Sequence, residues 1–260
     1  MILSIPFAHQ HTGKGKGAIN APQAIITALN NFFSSEKGKP FQKPEVKTVN
    51  VDLSNAQETN ERIARAVTEH NPRIILGGDH SITYASVKGF MKNNPGAGLL
   101  VFDAHPDLVH NHNPPTQEDY LITLIEEGII DPKKIILIGL RNWEQSEIAY
   151  LKMHKINHFT MDQIYQQGFP DIIQGVMEVI RSWPACYVSL DIDVCDPAHA
   201  PGTGWIEPGG ITSRDVLFAV QRLQLIEQVK CMDIVEVDPA KDVNGMTVQL
   251  AAKIVVETIS

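Results

Sequence analysis

The sequence predicts a single α/β domain, residues 1–260, built on one parallel sheet of about eight strands with helices on both sides. Three observations lead there. Short β-branched runs alternate with longer amphipathic stretches from end to end, the rhythm of strand–helix–strand units. Several runs (IIL, LLVF, IILIGL) are continuously apolar, as strands covered on both faces must be. The chain is also long enough for one large core: 260 residues, 43% hydrophobic and 20% charged.

In chain order, strands are expected at residues 2–5, 46–51, 73–76, 98–103, 134–139, 156–159, 185–192 and 230–237. Each is a short run rich in Ile, Val, Leu or Phe. Amphipathic stretches at 22–33, 55–69, 162–181, 213–225 and 243–258 supply the helices between them. A helical pattern also starts at Ser81, and another helix ends in Glu126-Glu127-Gly128. The longest irregular stretches are 9–21, 109–117 and 193–211. Two of these begin just after acidic residues at a strand end, which is where open α/β sheets bind ligands.

Composition narrows the function. A formal net charge of -8 leaves little to neutralise phosphates, so nucleic acid is not an expected partner. The lysine pairs Lys14/Lys16 and Lys37/Lys39 read as solvated loops. The start, MILSIPFAHQHTGKG, lacks a basic lead and a long apolar core, so no signal peptide is expected. No apolar run reaches the ~18 residues of a membrane span. Cys186, Cys195 and Cys231 are odd in number and lack CxxC spacing, which argues against a disulfide framework or zinc ribbon. A reducing cytoplasm is the expected compartment. Cys195 reads as a packing residue, with redox sensitivity as the alternative.

Chemistry concentrates in three segments. Asp103-Ala104-His105-Pro106-Asp107 follows the apolar run GLLVF. On an extended chain, residues two apart point the same way. Asp103, His105 and, if the backbone stays extended through Pro106, Asp107 then converge on one point. Carboxylate, imidazole and carboxylate suit a divalent cation of intermediate hardness. The other reading is a loop whose polar groups bond nearby backbone. Asp191-Ile192-Asp193 repeats the device after ACYVSL, and two carboxylates facing one way call for a compensating cation. Turn or helix-cap aspartates are the alternative there, as Asp196-Pro197 suggests. Gly77-Gly78-Asp79-His80-Ser81 follows RIIL and should put His80 beside the strand carrying Asp103, although a histidine in such a turn is often structural.

Together the segments offer His80, Asp103, His105, Asp107, Asp191 and Asp193 at the carboxyl ends of three strands. That many donors would crowd one ion, whereas shared carboxylates serve two ions about 3.5–4 Å apart, with water between them activated. Oxygen-rich ligation without thiolate favours two manganese ions, zinc being the less suited choice.

The motifs GGDHS, DAHPD, SLDIDVCDPAHAPGTG and DIVEVDP, in this order, resemble the ureohydrolase family of arginases, agmatinases, guanidino-acid hydrolases and formimidoylglutamases. GAINAPQAI near the start and VDPAKDVNGMTVQLAAKIV near the end extend the likeness over nearly the whole chain. The resemblance implies a three-layer αβα fold with a binuclear manganese centre. Carried over by position, His80, Asp103, Asp107 and Asp191 would hold one ion, and Asp103, His105, Asp191 and Asp193 the other. Glu236 matches the carboxylate that clamps the guanidinium or amidinium group, and Thr203 lines the site near it. The PGTG segment is nearer to agmatinase-like members than to arginase. The implied reaction is hydrolysis of a C–N bond in a linear amidine or guanidine by metal-activated hydroxide, which Asp107 orients. The implied assembly is a homo-oligomer, a trimer or hexamer.

The sequence departs from that pattern at the proton shuttle. Gln117 stands where agmatinase-like members carry a histidine, and glutamine does not shuttle protons near neutral pH. His112 is the first replacement to consider, with His110, Glu118 and His199 as others; a solvated polar loop is the alternative for His110 and His112. Formimidoylglutamase-like members also lack the histidine, which makes an amidine substrate attractive. Trp205 replaces a usual threonine and is expected to wall the pocket with Gln117, by a cation–π contact or by plain packing. Two other classes stay open at this point: a metal-binding relative without catalysis serving a structural or regulatory role, and a single-zinc hydrolase on the related deacetylase-like fold.

Overall fold

A computed structural model describes residues 1–9, 15–109 and 112–260. Its frame is one eight-stranded parallel sheet. The strands are β1 Ile2–Ser4, β2 Val46–Thr48, β3 Ile74–Leu76, β4 Gly98–Phe102, β5 Ile135–Leu140, β6 Asn157–Thr160, β7 Cys186–Asp191 and β8 Val229–Val235. They lie side by side in the order β2-β1-β3-β8-β7-β4-β5-β6. The helices among the described residues are α1 Ala21–Ala28, α2 Ala56–His70, α3 Ile82–Asn93, α4 Tyr120–Glu126, α5 Gln145–His154, α6 Met161–Gln167, α7 Phe169–Arg181, α8 Ser213–Leu223 and α9 Met246–Ile259.

The pleat explains the continuous apolar runs. In β4, Leu100 and Phe102 join a core shared with α1, α7, α8 and α9. Leu99 and Val101 face the opposite way, into a second core with α2, α3, α4 and α5. Both faces are dry, so every position of the strand must be apolar. Three layers, αβα, result.

All eight expected strands are present. The stretch 162–181, expected as one helix, is two. Gly168 takes φ 90°, a conformation that glycine adopts readily, and breaks α6 from α7. Thr160 caps α6 in a reciprocal box with Gln163, and Pro170 sits in the first turn of α7. Helix α5 has no sequence counterpart above because it buries only Glu147 and Leu151, too little for an apolar stripe. The strand leading to His80, β3, is not the neighbour of the strand carrying Asp103: β8 and β7 lie between β3 and β4, and His80 reaches Asp103 across their ends. The three cysteines are free and buried. No helix among the described residues is long and apolar enough to cross a membrane.

Candidate metal centre

Four neighbouring strands, β3, β8, β7 and β4, deliver the site residues from their carboxyl ends. Each exit is a turn rather than a continued strand. After β4, the Asp103 Oδ1 accepts the His105 backbone N–H at 2.7 Å, closing a local turn. Asp107 then takes φ 55°. The expectation of an extended backbone through Pro106 is therefore corrected: the carboxylates converge because the chain bends, with Asp107 in a left-handed conformation that short polar residues tolerate best. After β7, a 3₁₀ turn spans Ile192–Val194, and Asp191 Oδ1 accepts the Asp193 N–H at 2.8 Å. After β3, Gly78 passes so near Phe7 that an added Cβ would lie 2.0 Å from the Phe7 carbonyl oxygen. Only glycine lets the chain reach His80 there. After β8, Glu236 takes φ 62°, and its Oε1 accepts the His80 backbone N–H at 2.7 Å.

The six predicted donors come together. His80 Nδ1 lies 3.1 Å from Asp103 Oδ2, 3.1 Å from Asp107 Oδ2 and 3.2 Å from Asp191 Oδ2. His105 Nδ1 lies 3.1 Å from Asp193 Oδ2 and 3.6 Å from Asp103 Oδ1. Two donor groups follow, His80/Asp103/Asp107 and Asp103/His105/Asp193, each with its atoms within 4.8 Å of one another. Asp103 belongs to both. Among the described residues, His80 Nδ1 and Asp103 Oδ2 are buried and make no hydrogen bond despite their proximity. Atoms crowded together without hydrogen-bond geometry suit a cation better than a proton.

Electrostatics agree. Burial, with the Asp103 charge adding to it, pushes Asp107 up to about 8. Burial and the neighbouring Asp193 and Asp103 charges raise Asp191 well above the carboxylate range. Burial and Asp79 raise Glu236 likewise. Against its own complete burial, Asp103 is held low by the His105 and His80 rings. The donor set thus carries buried negative charge that a divalent cation would compensate.

A pH dependence follows. An unfolded Asp ionises near about 3.9, so between there and about 8 the metal-free fold holds a proton on Asp107 that the unfolded chain has lost. Stability from this group is complete below the lower value and is lost as pH rises through the upper one. We expect metal-free protein to lose thermal stability from about pH 5 to about pH 8.5, and a divalent cation to raise Tm more at the upper pH. Thermal scans with and without the ion check this. An equal ion-induced shift at both pH values would contradict it.

Both histidines are braced from behind. His80 Nε2 meets Ser189 Oγ at 2.9 Å, and Ser189 donates to Asp233 Oδ1 at 2.7 Å. Asp233 is fully buried and also accepts from Tyr187 Oη at 2.7 Å and Thr83 Oγ1 at 2.8 Å. With Ser189 donating to Asp233, its oxygen accepts the His80 Nε2–H and leaves the Nδ1 lone pair turned inward. His105 Nε2 instead faces Glu207 Oε1 at 3.3 Å.

A cavity of about 230 Å³ opens over the donors, with Gln117, Glu118, Trp143, Glu144, Trp205 and Glu236 in its walls. The Trp205 ring stands edge-on to His105, centroids 6.1 Å apart. Thr203 is buried and bridges Val237, next to Glu236, but is not among the lining residues. Nor is His112, whose Nδ1 lies 2.8 Å from the buried Asp119 Oδ2. His199 Nδ1 lies 3.4 Å from Ser213 Oγ, also away from the lining. His110 lies outside the described residues. Sequence reading missed Trp143, Glu144, Glu147, Glu207, Ser189 and Asp233. The first three follow β5, so the strand-end criterion that found Asp103 would have found them. Glu207 is 102 residues from His105, with no local signal.

Comparison with known proteins agrees with this geometry. The family model described as "Arginase family" matches residues 1–260. A formimidoylglutamase of Bacillus subtilis (strain 168) is 34% identical over 94% of this chain and 81% of its own. An arginase of Staphylococcus aureus (strain MSSA476) is 30% identical over 92% and 81%. The crystal structure of the Bacillus subtilis formimidoylglutamase superposes with a TM-score of 0.92 at 28% identity, covering 99% of this chain and 84% of that one.

Proposed function

From a chain that belongs to the arginase family, whose members are hydrolases of C–N bonds in linear amidines or guanidines, we propose a hydrolase that works with two manganese ions on a small amidine or guanidino substrate. The observation that carries the reading is the pair of donor groups sharing Asp103 beneath a cavity that also contains Glu236. His80, Asp103, Asp107 and Asp191 would hold one ion and Asp103, His105, Asp191 and Asp193 the other. The oxygen-rich donor set favours manganese.

Held by these residues, such ions would supply an activated water at neutral pH. The rest falls to side chains. Glu236 pairs with the cationic amidinium or guanidinium group and holds its planar carbon in register. Asp107 accepts a hydrogen bond from the attacking water and orients its lone pair. Gln117 and Trp205 close the cavity around the substrate, and Thr203 supports the Glu236 segment from behind. Glu118, in the cavity wall and within the Thr116–Asp119 turn, is better placed than His112 to protonate the leaving nitrogen. The buried free cysteines fit a cytoplasmic setting, and family resemblance supports a homo-oligomer.

The test is a product assay on manganese-loaded protein offered arginine, agmatine, short guanidino acids and formimidoylglutamate separately. Formamide and glutamate from formimidoylglutamate alone assign an amidine substrate; urea assigns a guanidine. No product from any of them, with two ions bound, would count against the reading.

A further inference from the structure

Resting on the two-ion reading, we infer that Glu207 is the positioning carboxylate of His105 and sets how tightly the second donor group holds its ion. An imidazole binds a metal through the nitrogen that carries no proton, and an acceptor at the other nitrogen fixes which one that is. His105 turns Nδ1 inward, 3.1 Å from Asp193 Oδ2, and presents Nε2 to Glu207 Oε1 at 3.3 Å. The Nε2 proton is thereby kept on the Glu207 side, and the Nδ1 lone pair faces Asp103 and Asp193.

Glu207 is itself held in place. Its Oε1 accepts from Asn142 Nδ2 at 2.7 Å. Its backbone carbonyl accepts from Arg141 Nε at 3.1 Å and Nη2 at 2.7 Å. The same Nη2 reaches the Asp193 carbonyl at 2.6 Å. One guanidinium therefore ties the backbone of the bracing carboxylate to the backbone of a donor that shares a group with His105. Arg141 and Asn142 follow β5 directly, so the sheet sets the position of this clasp.

The two histidines differ in how deeply they are braced. His80 leans on a fully buried relay, Ser189 to Asp233. His105 and Glu207 keep side-chain exposures of 22% and 19%. Glu207 also lies two residues from Trp205, which walls the cavity and stands against the His105 ring. The second donor group is thus the open one, and the segment that shapes the substrate wall also braces its histidine.

Manganese binding to dialysed wild-type, Glu207→Ala and Glu207→Gln proteins tests this, read by calorimetric titration with MnCl2 and by electron paramagnetic resonance. Wild type is expected to take two ions and to show a spin-coupled pair at two equivalents. Glu207→Ala should bind the first ion as wild type does and the second roughly 10–100-fold more weakly. At two equivalents its spectrum should be that of isolated Mn(II). Glu207→Gln keeps an acceptor for Nε2–H and should lose less; it also carries the test if the alanine variant fails to fold. Unchanged affinity for both ions in the two variants would overturn the role of Glu207. Fewer than two ions in wild type would overturn the dinuclear reading instead.

Discussion

Asp107→Asn is expected to stabilise the metal-free protein at about pH 8.5 while lowering hydrolysis about 150- to 5,000-fold. The two effects have one cause. Asp107 is buried beside Asp103, and its carboxyl is pushed up to about 8. Above that pH the metal-free fold must bury an uncompensated charge, which asparagine removes at the same volume. Asparagine is also the residue most at ease at the φ of 55° that this position demands. The fold therefore gains, with Tm rising by about 2–4 °C for each kcal/mol relieved. The site loses a charged donor to its ion and the acceptor that orients the attacking water. Breaking a buried charge pairing costs about 3–5 kcal/mol, and each 1.36 kcal/mol on the barrier is tenfold in rate. Thermal scans of metal-free protein and turnover at saturating manganese measure both halves. A variant that is less stable without metal at high pH would contradict the electrostatic account.

Glu236→Gln is expected to lower kcat/KM by about 10²–10³-fold and leave both ions bound. Glu236 is 3% exposed and shares the cavity with the donors. Its Oε1 is occupied by the His80 N–H. Burial and the nearby Asp79 raise its pKa, and among the described residues it has no ion-pair partner. An amidinium or guanidinium would be that partner. Losing one member of a buried, hydrogen-bonded charge pair costs about 2–5 kcal/mol in binding. Glutamine keeps the acceptor for His80, so the turn after β3 should survive. Steady-state kinetics and metal analysis of one preparation separate the roles: loss of an ion together with activity would make Glu236 a support of the metal site instead.

The strands were legible because burial on both faces leaves an unbroken apolar run, as in β4 and β5. The donors were legible because each set is local, with Asp103, His105 and Asp107 within five residues at the end of one strand. What could not be read is long-range or conformational. Strand order depends on packing, so β3 was expected beside β4, although β8 and β7 lie between them and His80 meets Asp103 across their ends. The bend that places Asp107 depends on a positive φ that the letters DAHPD do not announce. Ser189 and Asp233 look like ordinary strand residues until β7 and β8 pair, and Glu207 meets His105 only across a fold of the chain. The segment around Gln117 was singled out for a missing histidine. Folding puts Gln117 and Glu118 in the cavity wall and turns His112 toward Asp119.

The most direct measurement is the rate of substrate hydrolysis as manganese is added stepwise to metal-free protein, using the substrate that the product assay identifies. If the two donor groups sharing Asp103 act as one centre, turnover stays low through the first equivalent per chain and rises with the second. Full activity at one equivalent, or none at two, would contradict the account.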